Sequence, residues 1–216
     1  EALGSPSRNG SITVVNAVSP AGGDFSEPVT QASLRMSGAF WALDKSLAQQ
    51  RHFPAINWSQ SYTLYEGMLA PWFRENLGEE WFALRDYLKD LLEREQSLLE
   101  LVQLVGRDGL SEEDKWTLFM AELARVLFLQ QNAFVPEDAS FAPELQKLYL
   151  LQLRECDRTV RAALSRGVLF DQVAALPLRS DLLTLRSLKK DGMAGRGEQW
   201  RNRLKAELEA IEVMPQ

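Results

Sequence analysis

The chain has 216 residues, 45% hydrophobic and 25% charged, and its 30 acidic against 24 basic side chains leave a net charge of −6. This is the composition of a folded globular protein. The acidic balance, with no basic stripe, excludes nucleic acid as a partner and gives no reason for direct contact with anionic lipid. A lone cysteine, Cys156, forbids an internal disulfide and fits a reducing compartment, and a single histidine, His52, leaves no histidine metal cluster to consider. No apolar core of a signal peptide stands at the N-terminus, and no apolar run approaches the roughly 20 residues of a bilayer span.

Taken in chain order, residues 11–18 (Ser-Ile-Thr-Val-Val-Asn-Ala-Val) are rich in β-branched side chains and predict a buried strand. Residues 20–24 (Pro-Ala-Gly-Gly-Asp) must be a loop, and Pro28 opens a predicted short helix through Met36. Residues 38–43 predict another strand, and Asp44 is placed to cap a helix over 45–51. Strand, loop, helix and strand together read as the last units of an α/β sheet. So few strands do not bury themselves, so the chain is expected to begin inside a larger domain.

Near residue 63 the text becomes helical. Leu84, Leu88, Leu91, Leu98, Val102 and Val105 form an apolar stripe at helical spacing, ended by Gly106 and Gly109. Ser111 starts the next helix with Asp114 as its capping partner, and that helix runs towards Gln130. Pro136 and Pro143 bracket a loop, and a third long helix covers 144–165, ended near Gly167. Short helices follow over 171–175 and 180–190. The glycine-rich stretch 191–197 reads as a flexible hinge before a charged terminal helix over 198–211. The expected fold is therefore mainly α: a C-terminal multi-helix bundle (64–216) behind a short α/β remnant (1–63).

Four strings in this order carry a family likeness. The first is Gly10-Ser11-Ile12-Thr13-Val14-Val15 leading into residues 19–28. The second is Phe40-Trp41-Ala42-Leu43-Asp44, followed by Leu47-Ala48 and by Arg51-His52-Phe53-Pro54-Ala55-Ile56-Asn57-Trp58. The third is Leu104-Val105-Gly106 with Leu110-Ser111-Glu112-Glu113-Asp114, and the fourth is Phe128-Leu129-Gln130-Gln131-Asn132-Ala133-Phe134. Together they resemble the C-terminal part of the catalytic, nucleotide-binding A-type subunits of V/A-type rotary ATPases. The likeness is firm over residues 10 to about 135, looser to about 177 and weak beyond. Non-catalytic relatives carry Ser-x-Ser-Arg, whose arginine reaches into a neighbour's site. Here the string is Ser59-Gln60-Ser61-Tyr62, so the resemblance implies a chain that receives such a finger rather than supplying one.

The resemblance implies that Phe53 and Phe134 line an adenine pocket, with Pro54 stiffening the loop and Gln130 or Gln131 beside the base. Aromatic faces stack on a purine at about 1–3 kcal/mol per base in nucleic-acid systems. On spacing alone both rings read as ordinary core phenylalanines. The Leu110, Ser111, Glu112, Glu113, Asp114 string resembles the rotor-facing loop of these motors, although the residues by themselves describe a helix N-cap with carboxylates favouring the helix dipole. The family has a further acidic pair before the leucine where this chain has Asp108-Gly109, so shape is expected to matter more than charge there. Asp24, Ser26 and Glu27 lie in a loop similar to one that surrounds the rotor shaft, or form a plain surface turn. Before Phe128, where the family usually has one or two acidic residues, stand Arg125-Val126-Leu127.

No Gly-x-x-x-x-Gly-Lys-[Ser/Thr] string occurs. The resemblance puts that loop, the general-base glutamate and the magnesium-binding residues upstream of Glu1, with ATP or ADP and Mg²⁺ as cofactors of the full-length protein and none tightly held by this chain. It further implies alternating B subunits that supply an arginine finger, a central stalk, and a cytoplasmic, peripheral position reaching a membrane ion-translocating sector only through partners. Two other classes are compatible with the residues alone. One is a free-standing helical protein-interaction module without nucleotide chemistry, favoured by a coding sequence that truly begins near Glu1. The other is a self-sufficient enzyme, for which no carboxylate pair, histidine–nucleophile pair or metal spacing speaks.

Overall fold

A computed structural model describes residues 10, 12–132, 134–188 and 190–213. The N-terminal part is a small module. Helix α1 (Pro28–Met36) starts at a proline, as expected of an N1 position. Strand β1 (Ala39–Leu43) pairs antiparallel with β2 (Ile56–Thr63), and α2 (Lys45–Gln49) lies between them in sequence. Asp44 caps α2 by accepting from the backbone of Ser46 at 2.7 Å and Leu47 at 3.3 Å. The hairpin register runs from Ala39↔Thr63 to Leu43↔Ile56 and shifts between Phe40 and Ala42. The irregularity is stitched by Ser61, whose hydroxyl accepts from Ala42 N at 3.0 Å and donates to Asn57 O at 2.6 Å.

Two sequence expectations fail here. Residues 12–18 are not a strand: they are coil and exposed, and Ser11 lies outside the described residues. A β-branched run forms a strand only where a neighbour offers a free edge, and among the described residues the sheet holds β1 and β2 alone. Strand β2 was also unforeseen, because its Ser-Gln-Ser bulge hides the alternation.

The rest is helical. Helices α3 (Glu66–Leu77), α4 (Glu80–Val105), α5 (Glu112–Ala124), α6 (Pro136–Ala139), α7 (Pro143–Leu164), α8 (Phe170–Ala174), α9 (Leu178–Arg186) and α10 (Lys190–Val213) follow, and a π-helical turn (Arg125–Leu129) extends α5. Helix α7 is the central post and packs on α4, α5, α9 and α10. Its Tyr149, Leu150, Leu153, Cys156 and Val160 meet Leu84, Leu88, Leu91 and Leu92 of α4, Trp116, Met120 and Leu123 of α5, and Leu182, Met193, Trp200 and Leu204 of α9 and α10 in one core. Each fully buried leucine contributes about 1.5–3 kcal/mol.

The expected hinge over 191–197 is instead the start of α10. Met193, Trp200, Leu204 and Leu208 sit on one buried face, and their burial overrides the poor helix propensity of Gly192, Gly195 and Gly197. Gly197 has a reason to be there: a Cβ at that position would meet the Gln152 side chain at 2.8 Å, so the glycine lets α10 close on α7. The α4 stripe also divides. Leu84, Leu88 and Leu91 are buried, whereas Leu104 is 83% exposed and Val105 is exposed too. The last turns of α4 therefore project beyond the core as the free end of a helical hairpin with α5.

Candidate functional site

The loop between α2 and β2 is aimed by Arg51. It ends α2 with φ of 59°, a left-handed conformation that costs a non-glycine residue about 1–2 kcal/mol. Two backbone bonds hold it: Arg51 N donates to Ala48 O at 3.0 Å and His52 N to Leu47 O at 2.9 Å, the paired closure of a helix C-terminus that usually recruits glycine. The turn buries His52 against Trp58, with ring centroids 5.9 Å apart, and leaves the next ring, Phe53, 53% exposed. Burial, followed by the nearby Arg125 charge, holds His52 below its ordinary value, favouring the neutral imidazole.

Against this loop lies the segment that leaves the π-helical turn. Gln131 N donates to Phe53 O at 2.6 Å, and Gln130 Nε2 donates to Arg51 O at 3.3 Å. Behind it, Arg186 of α9 donates to Gln130 O at 2.9 Å and also pairs with Asp138. Asp138 in turn accepts from Asn132 N at 2.5 Å, and Asn132 Oδ1 accepts from Phe134 N at 3.0 Å. Phe134 is 97% exposed. The structure thus brings Phe53, Pro54, Gln130 and Gln131 together and holds Phe134 on the same loop. Among the described residues the two phenylalanine rings make no ring–ring contact with each other. Two polar residues of the supporting frame, Asp138 and Arg186, lay beyond sequence reasoning, because only the fold puts α9 behind the glutamines. An open groove of about 670 Å³ runs between the segment and α9, lined by Val126, Gln130, Leu183 and Arg186 among others.

The second candidate region lies at the opposite end of α5. The helical run from Glu112 to Leu129 spans about 25 Å at 1.5 Å per residue. Ser111 caps α5 as expected: its hydroxyl accepts from Asp114 N at 3.1 Å and donates to Asp114 Oδ2 at 2.7 Å. Glu112 is tied inward, accepting from Lys115 Nζ at 2.8 Å and from Phe170 N at 2.5 Å, and these bonds lower its carboxyl below the ordinary value. Glu113 is exposed. Leu110 is only 6% exposed and anchors the turn from within. In the third region, Asp24 accepts from Ser26 N at 2.8 Å and Glu27 from the Thr30 hydroxyl at 2.8 Å, so both carboxylates shape the approach to α1, with Asp24 and Ser26 exposed. Tyr62 packs on Phe40, with ring centroids 5.7 Å apart.

Among the described residues no group of three or more His, Cys, Asp or Glu side chains is placed to hold a metal ion, and no helix is long and apolar enough to cross a membrane. The exposed Phe53 and Phe134 rings thus stand on loops that also carry the Gln130 and Gln131 amides.

The hairpin module and the helical bundle meet where the Phe53 loop bonds to the Gln130–Gln131 segment. Residues 1–63 match the ATP synthase alpha/beta family, nucleotide-binding domain, and residues 70–172 match the C-terminal domain of V and A type ATP synthase. The A subunit of the A-type ATP synthase of Methanopyrus kandleri is 42% identical over 209 residues, 97% of this chain and 35% of the relative. Its counterpart in Haloferax volcanii is 47% identical over 167 residues, 77% of this chain and 28% of the relative. In Methanospirillum hungatei the A subunit numbered 1 is 46% identical over 181 residues, 84% and 31% of the two chains. The chain belongs to the A-subunit family of V/A-type ATP synthases, corresponding to the C-terminal part of its members. It spans about a third of the length of these curated relatives.

Proposed function

We propose that this chain supplies the adenine-contacting rings and the force-transmitting arm of the nucleotide-binding subunit of a rotary ATPase or ATP synthase. Residues 1–63 close the nucleotide-binding domain and residues 64–216 form the helical domain. Phe53 and Phe134 stack on the base of ATP or ADP, with Gln130 and Gln131 beside it; magnesium and the phosphates are held by parts of the full-length protein that this chain does not contain. Base binding draws the Gln130–Phe134 segment and the Phe53 loop into one closed unit. The α4–α5 hairpin moves with it as a stiff arm whose tip, carrying Ser111, Glu113 and the exposed Leu104, bears on a central stalk. Alternating B subunits supply the arginine finger, and rotation moves protons or sodium ions through a membrane sector, or runs in reverse to make ATP.

The observation that supports this reading is the 2.6 Å bond from Gln131 N to Phe53 O. It joins the two loops at the point where both leave an aromatic ring uncovered. The reading is tested in the assembled motor with Phe53→Ala and Phe134→Ala. Each removes one stacking face worth about 1–3 kcal/mol, so the KM for ATP rises about 5- to 150-fold, and a leucine at either position restores part of it. An unchanged KM in both alanine variants refutes the adenine role. The chain on its own is expected to hydrolyse no ATP, because phosphoryl transfer rests on held phosphates and magnesium. It is expected to bind nucleotide weakly at best; sub-micromolar affinity of the isolated chain contradicts the proposal.

A further inference from the structure

Arg125 occupies a position that the sequence left unexplained, and the structure surrounds it with three elements. Its guanidinium Nη2 donates to Glu95 Oε1 of α4 at 2.7 Å. Its carbonyl, at the start of the π-helical turn, accepts from Gln130 N at 2.8 Å. Its charge also reaches buried His52, whose neighbour Phe53 accepts from Gln131. Glu95 is 5% exposed, the one buried acidic side chain of the 26-residue α4. A carboxylate so enclosed persists only with a dedicated partner. Arg125 Nε is buried with no partner among the described residues, so the guanidinium is held by the Glu95 bond on one edge alone.

A π-helical turn is uncommon and concentrates at functional sites, because it rotates the residues that follow it relative to a regular helix. Here those residues are Gln130 and Gln131. The same residue therefore starts the irregular turn and, through its side chain, grips the arm helix about three turns short of the Gly106 that ends it. Val126 and Leu127 offer the guanidinium no competing carboxylate: Leu127 is buried and Val126 lines the groove beside α9.

We infer that Arg125 is a positioning residue for the nucleotide site, and that the Glu95–Arg125 pair is the joint through which the orientation of α4 sets the placement of the Gln130–Phe134 segment. This rests on the adenine-site reading above. Closing the loops on a base pulls the π-helical turn and, through the ion pair, swings α4. A load on the tip of α4 travels back the same way and loosens the glutamine segment.

The test uses the assembled ATPase with Arg125→Met, which keeps the apolar stem, Glu95→Gln, which keeps shape and hydrogen bonding without charge, and Arg125→Lys. Arg125→Met is expected to raise the KM for ATP about tenfold, the size of one lost charge-assisted hydrogen bond, while kcat changes less than KM. Glu95→Gln is expected to do the same to a smaller degree, and Arg125→Lys to recover part of the loss. Phe53→Ala is the reference. If it moves KM while Arg125→Met and Glu95→Gln lower only the melting temperature or the yield of assembled complex, the joint is refuted and the pair is merely structural. If Phe53→Ala itself leaves KM unchanged, the adenine reading has failed, and the joint with it. If Arg125→Met does not assemble, Glu95→Gln decides between the two outcomes by the same split of KM against kcat.

Discussion

At single residues, the chain's stability turns on a few polar groups whose partners lie far away in sequence. Trp116 Nε1 donates to Asp157 Oδ1 at 2.7 Å inside the bundle, and Arg161 Nε reaches the same oxygen at 2.9 Å while its Nη2 donates to Thr117 at 3.0 Å. Trp116→Phe keeps most of the ring but leaves an enclosed carboxylate one donor short. A loss of about 1–3 kcal/mol is expected, read as a lower urea midpoint at unchanged slope. What sequence could and could not convey divides along this line. Asp44 and Ser111 were legible as caps because capping is a bond to the next turn, and Pro28 because its ring belongs at a first helical position. The left-handed Arg51 and the Glu95–Arg125 pair were not. Arg51 stands where glycine is usual, and Glu95 and Arg125 lie on different helices with nothing local to tie them. Arg125-Val126-Leu127 was visible in the sequence, but that Arg125 pairs with Glu95 required α4.

Among whole elements, the long amphipathic helices α4, α5 and α7 were readable from spacing, since each buries one face. The misreadings came where local preference and tertiary packing disagree. Residues 12–18 have strand chemistry without an edge to pair with. Residues 191–197 have hinge chemistry but carry Met193 into the core, and the helix forms despite them. The glycines of α10 separate these effects. A Cβ on Gly195 meets nothing within 4 Å, so Gly195→Ala is expected to stabilise the chain by about 0.5–1 kcal/mol through helix propensity alone. Gly197→Ala thrusts a methyl into Gln152, which accepts from Arg201 at 2.6 Å, and is expected to cost about 1–3 kcal/mol. Paired thermal melts decide it: a shift of both variants in the same direction contradicts the close approach of α10 to α7.

For the molecule as a whole, the hairpin module is light and exposes much of its apolar surface, including Trp41 and Leu43, whereas the bundle holds the continuous core. The candidate pocket was legible as two strings well separated in the chain; that their backbones bond to one another is a fact of the fold and could not be read from either string. Helix α7 makes the bundle one cooperative body, and in its middle sits Cys156, fully enclosed, its thiol pushed upward by burial and, to a smaller extent, by the neighbouring Asp157. Because the chain has a single sulfhydryl, nature has installed a stopwatch. An alkylating dye can mark it only during the moments when the central post comes free. Its uptake, negligible at rest and hastened by denaturant, times those excursions without any engineered label.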